Sequence, residues 1–444
     1  MFIRCLAILA LAGGFCRAGE TEGKRFYQVA QPCRLPANSP GLGDVCMRLF
    51  GSRGNEATLA AGKDFHITWG VWSYITDPKF IGQVKSLGWR FQGTLNGCTS
   101  KPEFALRDRE AKPVAYAAIN SFWADPNNEA YRADYLKTAK QWIDNGAESL
   151  QRDDPAFGEW NWHGKRQRIP EEALAEFHTW ARGQIEAHAG RRVTMSVNSA
   201  EDRAFMKSFD YRTTEVRFDG LGPATMLDLA RKARQQGMLF VITSQEDRPA
   251  EDFRRAWAGA YATGNLFVVP WDQFNVALLQ DKNAQRTFIP ASRLADLTAF
   301  ERANGPSLDG YEDAAVGGYG VQDGRYAEPH VAIAGGSGRL TAFVRARPGD
   351  AASAVVIHLV EWGQGAAAVL KVRSELVLGE AGARVELRLP RPYDAQAHAA
   401  AEASKDYQGL ISEVSLKASR QGPWMSIEVP ALNPWGMVVI EKQD

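Results

Sequence analysis

The sequence predicts a (β/α)8 barrel followed by an antiparallel β-sandwich, and three observations carry that expectation. From residue 61 onward, short apolar-alternating runs trade places with amphipathic helical stretches, eight times over about 250 residues, the size of a closed barrel. In six of these runs the positions alternate to the large aliphatics are polar, increasingly so toward the carboxyl end. Beyond Phe300 the helical pattern gives way to short β-type runs separated by turns. At 444 residues, 45% hydrophobic and 23% charged, the chain is long enough for both units, and the composition excludes collagen-like and disordered classes.

The first segment reads as an address. Arg4 supplies a positive start, Cys5 to Phe15 form an apolar run too short to span a bilayer, and Cys16-Arg17-Ala18 offers small residues for cleavage after Ala18. Residues 1–18 are therefore expected to be a signal peptide, and the mature protein to be exported, secreted or periplasmic. Phe15 sits where a lipoprotein signal needs a small residue. With no later stretch of 18 apolar residues, membrane insertion is not expected. Residues 19–60 read as an amino-terminal extension. Cys33 and Cys46 flank a Pro/Gly/Asn-rich loop, and in an oxidising compartment a Cys33–Cys46 disulfide is expected to staple it; Cys98 with either of them is the other pairing. No pair of histidines lies near these thiols, so no metal site is expected.

The barrel is placed at 61–310, with strands at His66–Val71, Trp89–Asn96, Pro113–Phe122, Ala147–Asp153, Arg192–Ser199, Tyr211–Phe218, Met238–Gln245 and Leu266–Asp272. Helical patterns at Ala130–Asn145, Glu171–Ala189, Ala224–Gln236 and Ala250–Ala262 intervene, with Pro170 and Pro249 at their starts. No Gly-rich dinucleotide fingerprint or phosphate-binding loop follows a strand, so no cofactor is expected. Fifty-two basic residues balance 52 acidic ones, leaving no field to recruit nucleic acid. The sandwich is placed at 311–444, with runs at Leu340–Arg345, Ala354–Glu361, Ala368–Val372, Val385–Leu389, Ile411–Leu416, Trp424–Val429 and Gly436–Glu441.

Strand parity turns Gln92, Thr94, Asn96; Tyr116, Ala118, Asn120; Ser149, Gln151, Asp153; Thr194, Ser196, Asn198; Thr213, Glu215, Arg217; and Thr243, Gln245, Asp247 inward. Barrel sites form at the carboxyl ends of strands, and carboxylates gather there: Asp153-Asp154, Glu215, Glu246-Asp247 and Asp272. Cleavage of a glycosidic bond needs two carboxyl groups on opposite sides of it, one to protonate the leaving oxygen and one to attack the anomeric carbon or activate water. Neighbours on one strand cannot straddle a linkage, so parity selects Asp153 and Glu215, with Asp154 and Glu246 as further candidates. The structural alternatives are a helix cap or loop brace for Asp153 and Asp154, and an ion pair with Arg217 or Arg152 for Glu215. Trp69, Trp72 and Trp271 at the rim offer stacking faces for sugar rings, beside Phe122, Trp123, Trp160 and Trp162; the alternative for each is packing. Asn96, Asn120, Asn198 and Gln245 can read hydroxyls, Asp272 sits beside Trp271, and Arg152, Arg217 and Arg248 leave room for an acidic sugar. His66 and His163 fall near this rim without metal-ligand spacing, His178 and His188 read as surface residues, and His358 as a packing residue.

The chain resembles secreted glycoside hydrolases that carry a (β/α)8 barrel followed by a small β-sandwich. Leu150-Gln151-Arg152-Asp153 resembles the strand-four acidic position of retaining members, where the acid is the nucleophile. Val269-Pro270-Trp271-Asp272 and Leu308-Asp309-Gly310-Tyr311-Glu312 resemble rim segments, and the stretch from Pro430 to Ile440 is similar to a closing strand. The Asn-Glu pair common after strand four is replaced here by Asp153-Asp154. The resemblance implies hydrolysis of a poly- or oligosaccharide. A non-catalytic carbohydrate-binding protein on the same fold, and a hydrolase or lyase of anionic polysaccharide, are the competing readings.

Overall fold

The computed structural model describes residues 23–49, 56–116, 120–162, 165–244, 246, 248–269, 289–377 and 382–443, with the backbone alone at 159–162, 165–167 and 443. The expected signal peptide, residues 1–18, lies outside them. Eight parallel strands close into a barrel: β1 (Cys46–Arg48), β2 (Trp69–Ser73), β3 (Arg90–Leu95), β4 (Ser149–Arg152), β5 (Thr194–Asn198), β6 (Tyr211–Glu215), β7 (Phe240–Thr243) and β8 (Leu266–Val269). Each pairs with its neighbours in sequence, and β1 closes the ring by pairing Cys46 with Val268 of β8 and Trp69 of β2.

Two expectations fail here, for related reasons. The first barrel strand lies inside the supposed amino-terminal extension: Cys46–Arg48 is fully buried but only three residues long, too short for alternation to register. Conversely, the run at 113–122 is no barrel strand. It folds with Cys98–Thr99 into a small three-stranded antiparallel sheet, Ala115–Tyr116 and Ser121–Trp123 being its other two members, inserted between β3 and the helix Glu129–Asp144. The two errors cancel in the strand count, which leaves Asp153 and Glu215 at the ends of strands four and six. No disulfide staples the extension. Cys33, Cys46 and Cys98 are all free thiols, with Cys46 sealed inside β1 and the Cys33 thiol directed at the Arg234 carbonyl.

The outer layer holds α1 (Glu56–Asp64), α2 (Pro78–Ser86), α3 (Glu129–Asp144), α4 (Glu171–Ala189), α5 (Pro223–Gln235), α6 (Ala250–Thr263) and α7 (Ala295–Leu308). Asp77 and Asn128 cap α2 and α3 by accepting from Lys79 and Tyr131 backbone N–H groups, while Pro170 and Pro249 occupy the cap positions of α4 and α6. Between β5 and β6 the described connection is a single 3-10 turn at Ala204–Ser208. Phe80, Ile81 and Val84 on α2 show how the helices attach: three apolar residues at helical spacing, all buried against the strands, each contributing about 1.5–3 kcal/mol.

Beyond α7 two antiparallel sheets form the second unit. One has the order β9 (Glu312–Gly318), β11 (Leu340–Ala346), β12 (Val355–Glu361), β18 (Trp435–Gln443), β14 (Gly382–Pro390), β15 (Ile411–Ser415). The other runs β10 (Val331–Gly335), β13 (Ala368–Arg373), β17 (Trp424–Val429), β16 (Ala418–Gln421). The strands β9, β10 and β16 add to those the sequence predicts; glycines and short length hide them. Helix α8 (Ala395–Ser404), from the β14–β15 connection, lies against α1 of the barrel. There His66 faces His398 at 2.8 Å and Glu402 at 3.2 Å, so His66 belongs to this contact and not to the site rim.

Candidate active site

In the runs that do form barrel strands, contacts place Gln92, Ser149 and Ser196 inward, as parity predicts. Gln92 reaches across the barrel to Ser196 and Tyr211, at 3.2 and 2.6 Å, and the Trp69 indole donates to Ser149. This filled interior forms the floor below the carboxyl-end mouth. Trp69 is part of the floor: as the first residue of β2 it sits at the amino end of the barrel, 1% exposed, with Arg90 over its ring at 4.9 Å. It cannot stack on a sugar at the mouth. Trp72 does lie at the carboxyl end, but in a left-handed conformation (φ 53°) that tucks the indole away, 3% exposed, with the Arg48 guanidinium 5.7 Å from it.

Asp153 follows the last residue of β4, and its backbone N–H extends the sheet by donating to Leu95. Three donors hold its carboxylate in one orientation. The Tyr74 hydroxyl donates to Oδ2 at 3.1 Å, while the Asn198 amide and the Asp154 backbone N–H donate to Oδ1 at 2.8 and 3.1 Å. Asn96 from the end of β3 donates in turn to the Tyr74 oxygen at 3.4 Å. Desolvation and the Asp153 charge push the Tyr74 phenol well above its ordinary range, so it remains a donor. Asp153, Asn96 and Asn198 thus converge as parity predicts. Tyr74 was missed; its place two residues beyond Trp72, just past a strand end, was the available signal.

Asp154 leaves the strand in the left-handed region (φ 49°), which turns its side chain away from that of Asp153. Burial first, then repulsion from Asp153, push its carboxyl up to about 7; Glu215 adds to the push, and the Tyr116 hydroxyl and Arg152 work against it. Tyr116 comes from the inserted sheet, its ring 4.2 Å from that of Trp123. Two glycines permit this packing. A Cβ on Gly97 would meet the Asp154 carbonyl oxygen at 2.2 Å, and one on Gly158 (φ 77°) would meet the Trp123 ring at 2.2 Å. Cys98 belongs to the same wall, its thiol pushed up by burial.

Glu215 ends β6 with its side chain 33% exposed, and the guanidinium of Arg48, from the end of β1, approaches it to 3.8 Å. Arg48 was invisible to a reading that missed β1. Other expectations need correction. Arg152 faces outward from β4 and is completely buried among the rings of Tyr135, Phe157 and Phe177, so it touches no ligand at the mouth. Glu246 accepts from the Phe218 backbone N–H at 2.8 Å and pairs with Arg248 at 3.2 Å and Arg217 at 3.3 Å. It braces the turn after β6, with both arginines beside it. Asn120 is exposed in a turn of the inserted sheet, away from the barrel interior, because its segment never enters the barrel. His178 is buried against the Pro155 carbonyl at 2.9 Å, not a surface residue. Gln245, Asp247, His163, Trp271, Asp272 and the side chains of Trp160 and Trp162 lie outside the described residues. Among the described residues, no group of three His, Cys, Asp or Glu side chains is placed to hold a metal, and no helix is long and apolar enough to cross a membrane.

Carboxylates thus gather at the carboxyl-end mouth of a closed barrel that is joined to antiparallel sheets. No family model matches the sequence, and no curated protein matches it either. Among solved structures, a noncanonic maltogenic α-amylase, AmyB from Thermotoga neapolitana, aligns with a TM-score of 0.54 and 11% identity, covering 91% of this chain and 99% of that one. Amy13B of Eubacterium rectale aligns with a TM-score of 0.52 and 10% identity, covering 94% and 97%. The likeness is one of fold: the same barrel, followed by the same kind of β domain.

Proposed function

We propose that this protein is an exported glycoside hydrolase that cleaves a poly- or oligosaccharide at the carboxyl-end mouth of its barrel, with Asp153 and Glu215 as the reacting pair. The observation that carries the reading is the arrangement of Asp153: three donors aim its carboxylate, while Glu215 stands on a strand two places away. One of the two attacks the anomeric carbon or activates a water, and the other protonates the leaving oxygen. Asp154 keeps its proton to about pH 7, which leaves fewer repelling charges in the cluster when substrate arrives. The amylase fold shared with AmyB and Amy13B supports the same class of chemistry. The leader-like residues 1–18 support export. Of the three arginines that would serve an anionic polysaccharide, Arg152 is buried, while Arg217 and Arg248 stay exposed at 75% and 37% beside Glu246.

The test is a panel of polysaccharides with product sizing. Asp153→Asn and Glu215→Gln are each expected to lower turnover at least about 100-fold, with binding measured by calorimetry unchanged. An aryl glycoside with an activated leaving group is expected to restore turnover to one of the two variants and not to the other, and the rescued variant identifies the proton donor, which alone becomes dispensable. Binding without cleavage by the parent protein on every glycan would leave a carbohydrate-binding protein. Unaffected variants would remove these residues from the reaction.

A further inference from the structure

Arg152 is a cation with no evident job. It is 0% exposed, and none of its three guanidinium nitrogens makes a well-formed hydrogen bond. The Phe157 ring lies 4.4 Å from it, the Tyr135 ring 5.1 Å and the Phe177 ring 5.8 Å. A buried charge without a partner is expensive, and an apolar side chain of like volume would pack there at less cost. Aromatic faces offset only part of that. What distinguishes the position is its neighbours: Arg152 precedes Asp153 directly, and one strand separates the cation behind β4 from the carboxylates in front.

We propose that Arg152 is a positioning residue that governs the charge and setting of the Asp153–Asp154 pair from the far side of β4. Two routes lead from it to the site. The first is direct Coulomb attraction, which strengthens in surroundings that exclude water. The second is a chain of contacts that starts at Tyr131, a phenol close enough to feel the cation's charge, which donates to the Asn96 carbonyl at 3.2 Å. The Asn96 amide donates to Tyr74 at 3.4 Å, and Tyr74 donates to Asp153 at 3.1 Å. The chain ties the wall that packs on the cation to the peptide of Asn96, and through it to the donor that aims Asp153. The other titratable groups around the guanidinium are Tyr131 and Tyr135 on α3, His178 on α4, and Cys98. Burial pushes both phenols and the thiol up and drives His178 down to about 3, so none of them gains or loses charge where Asp154 titrates.

The inference rests on reading Asp153 and Asp154 as site carboxylates, but its test needs no substrate. Carboxyl carbons of labelled aspartates are titrated by NMR in the full-length protein, with Asp154→Asn identifying the Asp154 signal. In Arg152→Met the Asp154 midpoint is expected to rise by about one pH unit, and in Arg152→Lys, which keeps the charge, to stay near the parent value. If the Met variant does not fold, Arg152→Gln against Arg152→Lys carries the same comparison. A folded neutral variant with an unmoved midpoint overturns the proposal. So does a Lys variant that shifts as far as the neutral one, because the effect would then come from packing. Tyr131→Phe reads the second route: the Asp153 signal should move while the rings around the cation remain, and an unchanged signal removes that route. A protein that cleaves no glycan but passes this titration leaves the inference standing and only the proposed reaction in error.

Discussion

Asp154 keeps its proton to about pH 7, whereas the same carboxyl in an unfolded chain releases it near 3.8. Between those values the folded state binds one proton more than the unfolded state, so the protein loses stability as pH rises through that window. Asp154→Asn removes the difference. The variant is expected to gain on the order of 4 kcal/mol at pH 8 relative to the parent and nothing below pH 3, measured by urea unfolding at both values. An equal gain at both pH values would mean that Asp154 is not the group responsible. Such an effect is invisible in sequence. Asp153-Asp154 marks two acids at a strand end, but burial and the neighbouring Asp153 charge determine that one of them stays neutral. Arg152 teaches the same lesson in reverse. As a residue it looked like a ligand for an acidic sugar, yet its parity, opposite to Asp153, already placed it behind the strand.

At the scale of elements, the turn after β3 and the turn after β4 press together at Gly97, where the Asp154 carbonyl oxygen occupies the space of a side chain. Gly97→Ala must displace that backbone, because a carbonyl cannot swing aside as a flexible side chain does. The expected cost is about 1–3 kcal/mol of stability, with a larger proportional loss of turnover, read by thermal unfolding and kcat on the same preparation. A variant with unaltered turnover would show that the two turns are not coupled. The elements most legible in the sequence were the long ones. Helix α4 matches its predicted limits, Glu171–Ala189, because nineteen residues of apolar periodicity carry enough signal. Strand β1 could not be read because three buried residues have no period. The run at 113–122 was misassigned because β alternation is the same in a barrel strand and in an inserted hairpin; only partners tell them apart, and those partners are Cys98–Thr99.

Across the whole molecule, barrel and sandwich share a buried seam. Arg254 on α6 holds Asp296 through two hydrogen bonds of 2.6 and 2.7 Å and also donates to the Asn433 carbonyl, just ahead of β18. Trp435 of β18 packs edge-on against Phe300 of α7 at 4.8 Å. Arg254→Ala strands a buried carboxylate at this seam, and the expected loss is about 3–5 kcal/mol, felt by both units in one cooperative urea transition. Two separated transitions would show that the seam does not couple them.

The sequence by itself determined the order of the two units, the barrel class, the inward face of the strands and the gathering of acids at their carboxyl ends. All of these follow from local periodicity, which a chain carries wherever it goes. Tertiary structure alone decided which strand closes the barrel, which aromatics form floor rather than rim, which thiols stay unpaired and which acid keeps a proton. Those outcomes depend on distances between residues far apart in the chain, and no period or propensity encodes a distance.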